Sequence, residues 1–173
     1  MMPQDFDAVR ARMTEKMLAF YAGSIHDVDH FLKVTAYADL IASLSGVSED
    51  IRQTVILTAI VHDIACPLCR EKYGSAPGNR QEEESEALLR PFLAEFALPD
   101  ALRERIIFIV CHHHTYTGVD GMDWQIMLEA DFLVNAAESS MSAQAVRNFD
   151  EKVFRTEAGH RLLRELYPTV WET

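Results

Sequence analysis

The sequence predicts an all-α protein, a compact bundle of about six to eight helices, and three observations carry that prediction. Apolar residues recur at three- and four-residue steps along most of the chain, and no stretch alternates at period two for long. Glycine and proline are scarce, seven and six in 173 residues, too few for a many-stranded β fold with tight turns. Hydrophobic residues make up 49%, so a single domain spanning 1–173 can bury a sizeable core. Internal repeats, low-complexity tracts and linkers are all lacking.

The elements follow in order. Phe6, Val9, Met13, Met17 and Phe20 mark an amphipathic packing helix over 4–21, which Gly23-Ser24 breaks. Val28, Phe31, Leu32, Thr35, Ala38 and Ile41 mark a second over 27–45, ended by Gly46. Ser48, followed by Glu49 and Asp50, is a good N-cap with acids in the first turn, and it opens a third helix over 49–65. That helix is apolar almost all round and should be central. Residues 67–79 predict a short helical turn and a loop with Gly74, Pro77 and Gly78. A fourth helix covers 79–97, with acids at its start and a kink expected at Pro91. A fifth covers 100–113 and a sixth 122–139. Residues 143–168 predict one or two capping helices, anchored by Phe149, Phe154, Leu162 and Leu163.

Composition excludes some functions. The formal net charge is -11, and phosphate contacts with a nucleic-acid polymer or an anionic membrane need surplus Lys and Arg. A small phosphorylated ligand held by a local cation is compatible with that charge. Three cysteines make no disulfide framework, and Cys66-Pro67-Leu68-Cys69 is a weak metal signal without a second pair. The N-terminus has no uninterrupted apolar region, and no segment is expected to span a bilayer, so the cytoplasm is the expected compartment. The acidic surface leaves a homodimer open.

Two anomalies interrupt the apolar helices. His62-Asp63 closes the run Thr54–Val61, and Asp131 sits among Leu128, Ala130, Phe132 and Leu133. Burying an imidazole and a carboxylate is costly unless something compensates them. A core histidine paired with a helix-ending aspartate is one solution; a divalent metal is the other. His30, the run His112–His114 and Asp131 each lie on a different predicted apolar helix, and a bundle can bring such groups to one interior point. Three nitrogens and two carboxylates suit Mn, Fe, Co, Ni or Zn better than an all-oxygen Ca or Mg cage.

With these residues in place the chain resembles the HD-domain superfamily of metal-dependent phosphohydrolases. The resemblance rests on His30 in HFLKV, His62-Asp63 in AIVHDIA, His112 in IVCHHH and Asp131 in EADFLVN, and it covers about residues 24–138. It implies an all-α core with an added N-terminal packing helix and C-terminal caps. His30, His62, Asp63 and Asp131 are the metal ligands it implies, and cleavage of a phosphomonoester or phosphodiester, often of a nucleotide, is the activity. The sequence departs from the pattern in two places. Gln81 stands where many members carry a histidine for a second metal, with Glu82 and Glu84 beside it as substitutes. Cys66 stands where many phosphodiesterase-type members carry a lysine. One tightly held ion with a weaker second position is therefore expected.

The remaining site residues are assigned as candidates. His112 is expected to reach the ion or a phosphoryl oxygen, with His113 or His114 behind it or at the surface, since three consecutive histidines cannot share one helix face. His26 and His113 are candidate general acids. Lys72 and Arg80, with Lys33 about one turn after His30, are candidate phosphate contacts. Glu129, two residues before Asp131, is expected in solvent or in an ion pair, and His160 is expected to be structural or exposed. A metal-containing nucleotide-binding or regulatory module without efficient catalysis is the alternative function. A di-iron oxygenase is a third, weakened by Gln81.

Overall fold

The computed structural model describes residues 5–172, and among these all regular structure is helical. The helices are α1 (Phe6–Tyr21), α2 (Ile25–Leu44), α3 (Glu49–Val61), α4 (Cys66–Tyr73), α5 (Gly78–Ala94), α6 (Asp100–Val110), α7 (Met122–Glu138), α8 (Ala143–Lys152) and α9 (Glu157–Leu166). A 3-10 turn, Pro168–Trp171, follows. The described residues thus form the all-α bundle that the sequence predicts. Residues 66–73 form a full two-turn helix where the sequence suggested a turn, with Pro67 tolerated in its first turn. Gly74 closes that helix at φ 75°, a left-handed conformation that suits glycine.

Local chemistry sets the helix starts. The side chains of Ser48, Ser142 and Thr156 each accept a backbone N–H three residues on, from Ile51 (3.4 Å), Ala145 (3.2 Å) and Gly159 (2.8 Å). Asp5 does the same for Ala8 at 3.1 Å. Gln4, the first residue of the expected 4–21 helix, lies outside the described residues.

α3 is the central strut. Every residue from Thr54 to Val61 is buried, and α3 packs against α1, α2, α6 and α7. Its two threonines donate to carbonyls one turn back, so no hydroxyl is stranded. Burying side chains such as Ile56, Leu57 and Ile60 stabilises by about 1.5–3 kcal/mol each. The stretch Glu49–Tyr73 has the length of a bilayer span and a window of mean hydropathy 1.2, but 67% of that window is buried and the helix breaks at 62–65. By length and composition alone such a stretch passes for a span, and its burial makes it a core helix.

The apolar interior has two parts. One joins α2, α7 and the C-terminal helices, through Val34, Ile41, Met127, Phe132, Phe154 and Leu163. The other joins α1, α3, α5 and α6, through Met13, Phe31, Leu57, Ile60, Leu93 and Ile106. His30 and His62 sit next in sequence to residues of the second, and Asp131 next to residues of the first.

Candidate metal centre

Three helices deliver the polar groups. α2 carries His30 near its start, α7 carries Asp131 at its middle, and α3 ends just before His62 and Asp63. The expected helix to 65 stops at Val61. There the backbone tightens into i→i−3 bonds, Ile64 N–H to Val61 O (3.1 Å) and Cys66 N–H to Asp63 O (2.9 Å). The turn lets two consecutive side chains reach one point. On a continuing α-helix they would diverge by about 100°.

The four groups converge closely. His30 Nε2 lies 3.3 Å from His62 Nε2, 3.3 Å from Asp63 Oδ2 and 3.1 Å from Asp131 Oδ1. His62 Nε2 lies 3.5 Å from each of the same carboxylate oxygens. His30, His62 and Asp131 are buried, at 4%, 0% and 7% exposure.

Hydrogen bonds on the far side of each ring fix what faces inward. His30 Nδ1 is 2.8 Å from Glu138 Oε2, and His62 Nδ1 is 2.7 Å from the Ala59 carbonyl. Both partners are acceptors, so both Nδ1 atoms donate outward, and each Nε2 faces the carboxylates, where it carries a proton or binds a metal ion. The two Nε2 atoms thus stand 3.1–3.5 Å from each other and from two carboxylate oxygens, an arrangement that needs a positive charge, proton or metal ion, among them. The spacing fits a metal ion: ligands at about 2.1 Å from a shared ion stand about 3.0–3.4 Å apart in octahedral or tetrahedral arrangement.

The electrostatics agree. Burial pulls the His30 imidazole down, but the Asp131 hydrogen bond and the Asp63 charge reverse this and hold it up at about 10. Burial pushes the Asp63 and Asp131 carboxyls up, and the surrounding histidines hold both well below the usual carboxylate range. Such a pocket draws positive charge, whether proton or metal.

A second set of donors adjoins the first. Asp63, His113 and His114 offer ligand atoms within 4.8 Å of one another. His113 Nε2 is 3.5 Å from Asp63 Oδ1, the carboxylate oxygen not used toward His30. His113 Nδ1 is tied to the Val110 carbonyl at 2.7 Å, so its Nε2 is the nitrogen that faces Asp63. The Nε2 atoms of His113 and His114 are buried without a hydrogen-bond partner. Burial and the neighbouring His113 push His114 down to about 4. Gln81 is buried at 6% exposure with its amide nitrogen on the Ala76 carbonyl and its Oε1 unpartnered. Glu82 holds the histidine turn by accepting from His114 N and the Thr115 hydroxyl, both at 3.0 Å. Glu84 is taken by Lys72 and Tyr73, each at 2.5 Å.

Several expectations change here. α6 stops at Val110, and 111–114 form a tight turn instead of the last turn of a helix to 113. That turn sends His113 inward and His112 outward. The His112 ring stacks on Phe108 at 4.3 Å and meets the edge of Trp124, with Nδ1 on the Phe108 carbonyl. His26 is exposed, its Nε2 3.8 Å from Glu138. Lys33, Lys72 and Arg80 each face a carboxylate: Glu138 at 3.6 Å, Glu84 at 2.5 Å and Glu83 at 2.6 Å. In place of a phosphate, each has an acid for a partner. Glu129, expected in solvent or in an ion pair, is fully buried among hydrogen-bond donors. Its Oε1 accepts from Gln125 Nε2 (2.8 Å), Arg155 N (2.7 Å) and Thr156 N (3.0 Å), and its Oε2 from the Thr156 hydroxyl (2.5 Å). It caps the start of α9. His160 pairs with Asp150, away from the cluster.

Sequence reasoning missed Glu138. It lies seven residues after Asp131, two helical turns on the same face of α7, and that spacing is the signal that would have found it.

Neither a protein-family model nor a curated protein matches the chain. A solved structure does. The crystal structure of a predicted HD superfamily hydrolase from an uncultured Thermotogales bacterium is similar with a TM-score of 0.64 and 20% sequence identity. The similarity covers 96% of this chain and 87% of that one. The chain therefore has the all-α HD-domain fold that its motifs suggest.

Proposed function

We propose that this protein is a metal-dependent phosphohydrolase that cleaves a phosphoester of a small molecule, a nucleotide foremost. The observation that carries the reading is the set of four inward-facing ligand atoms, two imidazole nitrogens and two carboxylate oxygens, with no lysine or arginine among them. His30, His62, Asp63 and Asp131 would hold a transition ion such as Mn, Fe, Co, Ni or Zn. Asp63, His113 and His114 would offer a weaker second position. Bound there, a divalent ion supplies positive charge beside a phosphoryl group and makes neighbouring water more acidic.

The chain's own residues supply the rest. Glu138 holds the His30 ring in the tautomer that leaves Nε2 free, and the Ala59 carbonyl does so for His62. With only the first position filled, His113 Nε2 is free to accept a proton from an attacking water. In the reaction, water oxygen bonds to phosphorus and the P–O bond to the alcohol breaks. The proton lost by water ends on the leaving oxygen. The net change is ester plus water to alcohol plus phosphate, or to a monoester when the substrate is a diester.

The test is metal content by mass spectrometry on the purified protein, read beside turnover of nucleotides and simple phosphoesters with Mn, Co, Ni, Mg or Zn. The expected result is about one transition ion per chain and turnover of one ester class, both lost in His62→Ala. Full metal content and activity in that variant would sink the ligand assignment. Metal-loaded protein that binds nucleotides and leaves them intact would favour the regulatory-module reading.

A further inference from the structure

The four-ligand cluster contains no lysine or arginine, and the cations expected from the sequence are engaged elsewhere. Lys72 and Arg80 end on Glu84 and Glu83 of α5, and Lys33 lies against Glu138, which is committed to His30. One arginine that the sequence reading passed over is placed differently.

Arg70 stands four residues after Cys66 on α4, so the two side chains share a face, about 5–6 Å apart at Cβ. Cys66 belongs to the metal-bearing turn. It is buried, and its N–H bonds the Asp63 carbonyl at 2.9 Å. Burial pushes its thiol up, the Asp63 carboxylate adds to this, and the Arg70 guanidinium opposes it. The buried Tyr21 hydroxyl, which has no hydrogen-bond partner, feels the same groups: burial raises it, Asp63, Cys66 and Asp27 raise it further, and Arg70 pulls it down. Asp63 and Arg70 thus lie close to the same two side chains.

Asp27 fixes the guanidinium. Its carboxylate is 11% exposed and accepts the Ser24 hydroxyl at 2.7 Å and Arg70 Nη2 at 2.5 Å. Asp27 lies about one turn before His30, so the bond holds Arg70 at the metal-bearing end of α2. The Arg70 side chain stays 45% exposed, and among the described residues its Nε and Nη1 make no hydrogen bond. A guanidinium carries five N–H donors, and the bond to Asp27 leaves most of them open.

Resting on the phosphohydrolase reading above, we infer that Arg70 is a substrate-binding residue that donates to the phosphoryl oxygens turned away from the ion. Cys66 stands where a lysine would reach the phosphoryl group, and Arg70 brings the cation from the next turn of the same helix face. Its planar fork suits phosphate, and the buried Asp27 carboxylate holds it in place before substrate arrives.

The experiment uses Mn-loaded full-length protein, with inorganic phosphate as the binding probe and 4-nitrophenyl phosphate as the turnover probe. Calorimetry reads phosphate affinity in the wild type, Arg70→Gln, Arg70→Lys and Lys72→Ala. Glutamine keeps a donor for Asp27 and loses the charge. Arg70→Gln should weaken phosphate about 10–100-fold, the scale of hydrogen bonds to a charged group, with metal content and Tm close to the wild type. Its KM should rise by a similar factor, more than kcat falls. Arg70→Lys should recover part of the loss, as a point charge without the fork. Lys72→Ala should leave phosphate affinity unchanged. Ester turnover with undiminished phosphate affinity in Arg70→Gln would overturn the inference and leave the phosphohydrolase standing. So would a loss in Arg70→Lys as large as in Arg70→Gln. A loss that appears only together with lower metal content or lower Tm would make Arg70 a structural tether and overturn the inference too. Mn-loaded wild type that neither binds phosphate nor turns over the ester would remove the phosphohydrolase reading itself, and the role of Arg70 with it.

Discussion

The Nε2 atoms of His30 and His62 lie 3.3 Å apart, while the opposite nitrogens of both rings are already bonded, to Glu138 and to the Ala59 carbonyl. Two imidazole nitrogens and two carboxylate oxygens held together in this way are stable only around a positive charge. Metal binding should therefore stabilise the fold. A ligand at about a hundred times its Kd adds about 2.7 kcal/mol, which raises Tm by about 5–10 °C in a chain of this size. Differential scanning fluorimetry with added Mn or Zn measures it. The shift should vanish in His62→Ala and Asp131→Ala. A wild-type Tm that ignores every transition ion would contradict the metal reading.

Glu138 should act through His30. Glu138→Ala frees the ring to rotate and to move its proton, with an expected loss of about 10–100-fold in metal affinity. Glu138→Gln keeps an acceptor oxygen and should recover part of it. Titration with a competing chelator reads both. Unchanged affinity in the alanine variant would remove Glu138 from the site.

Glu129 is a fold determinant, although it lies two residues from Asp131. Its carboxylate takes four hydrogen bonds from Gln125, Arg155 and Thr156 and ties α7 to the start of α9. Glu129→Ala strands buried donors and should cost about 3 kcal/mol or more, since each unsatisfied group costs about 1–3 kcal/mol. Gly159 packs against the same carboxylate so closely that a Cβ there would collide with it. Gly159→Ala should destabilise by about 1–3 kcal/mol. Urea denaturation checks both, and stability within error of the wild type would refute the capping role.

The thiols should be quiet. Burial, helped by the Glu86 and Glu82 charges, pushes Cys111 up to about 11, and burial raises Cys66 and Cys69 as well. The folded chain keeps the Cys111 proton to about 11, while the unfolded chain releases it near 9.0. Its contribution to stability is thus complete below about pH 9 and is lost as pH rises from about 9 to about 11. Thiol titration at pH 7 should find little reaction in the native protein and full reaction of all three cysteines after denaturation. Rapid native labelling at pH 7 would contradict this.

The fold class and the polar exceptions to it are written in the residue pattern. Helical periodicity is local, so α2, α3 and α7 were legible from apolar spacing alone, as was the Ser48 cap. His30, His62, Asp63 and Asp131 stood out because an ionisable group on an apolar helix needs compensation wherever the helix packs. What depends on turns and on distant partners comes from the packing of the helices. His113 faces inward and His112 outward because residues 111–114 leave the helical register, where a period of 3.6 has no meaning. Lys72 and Arg80 lie against Glu84 and Glu83, Glu138 against His30, and Glu129 beneath α9. Pairings of this kind are set by how helices dock. Side chains of opposite charge find whichever partner packing brings within reach, and no spacing along the chain encodes that.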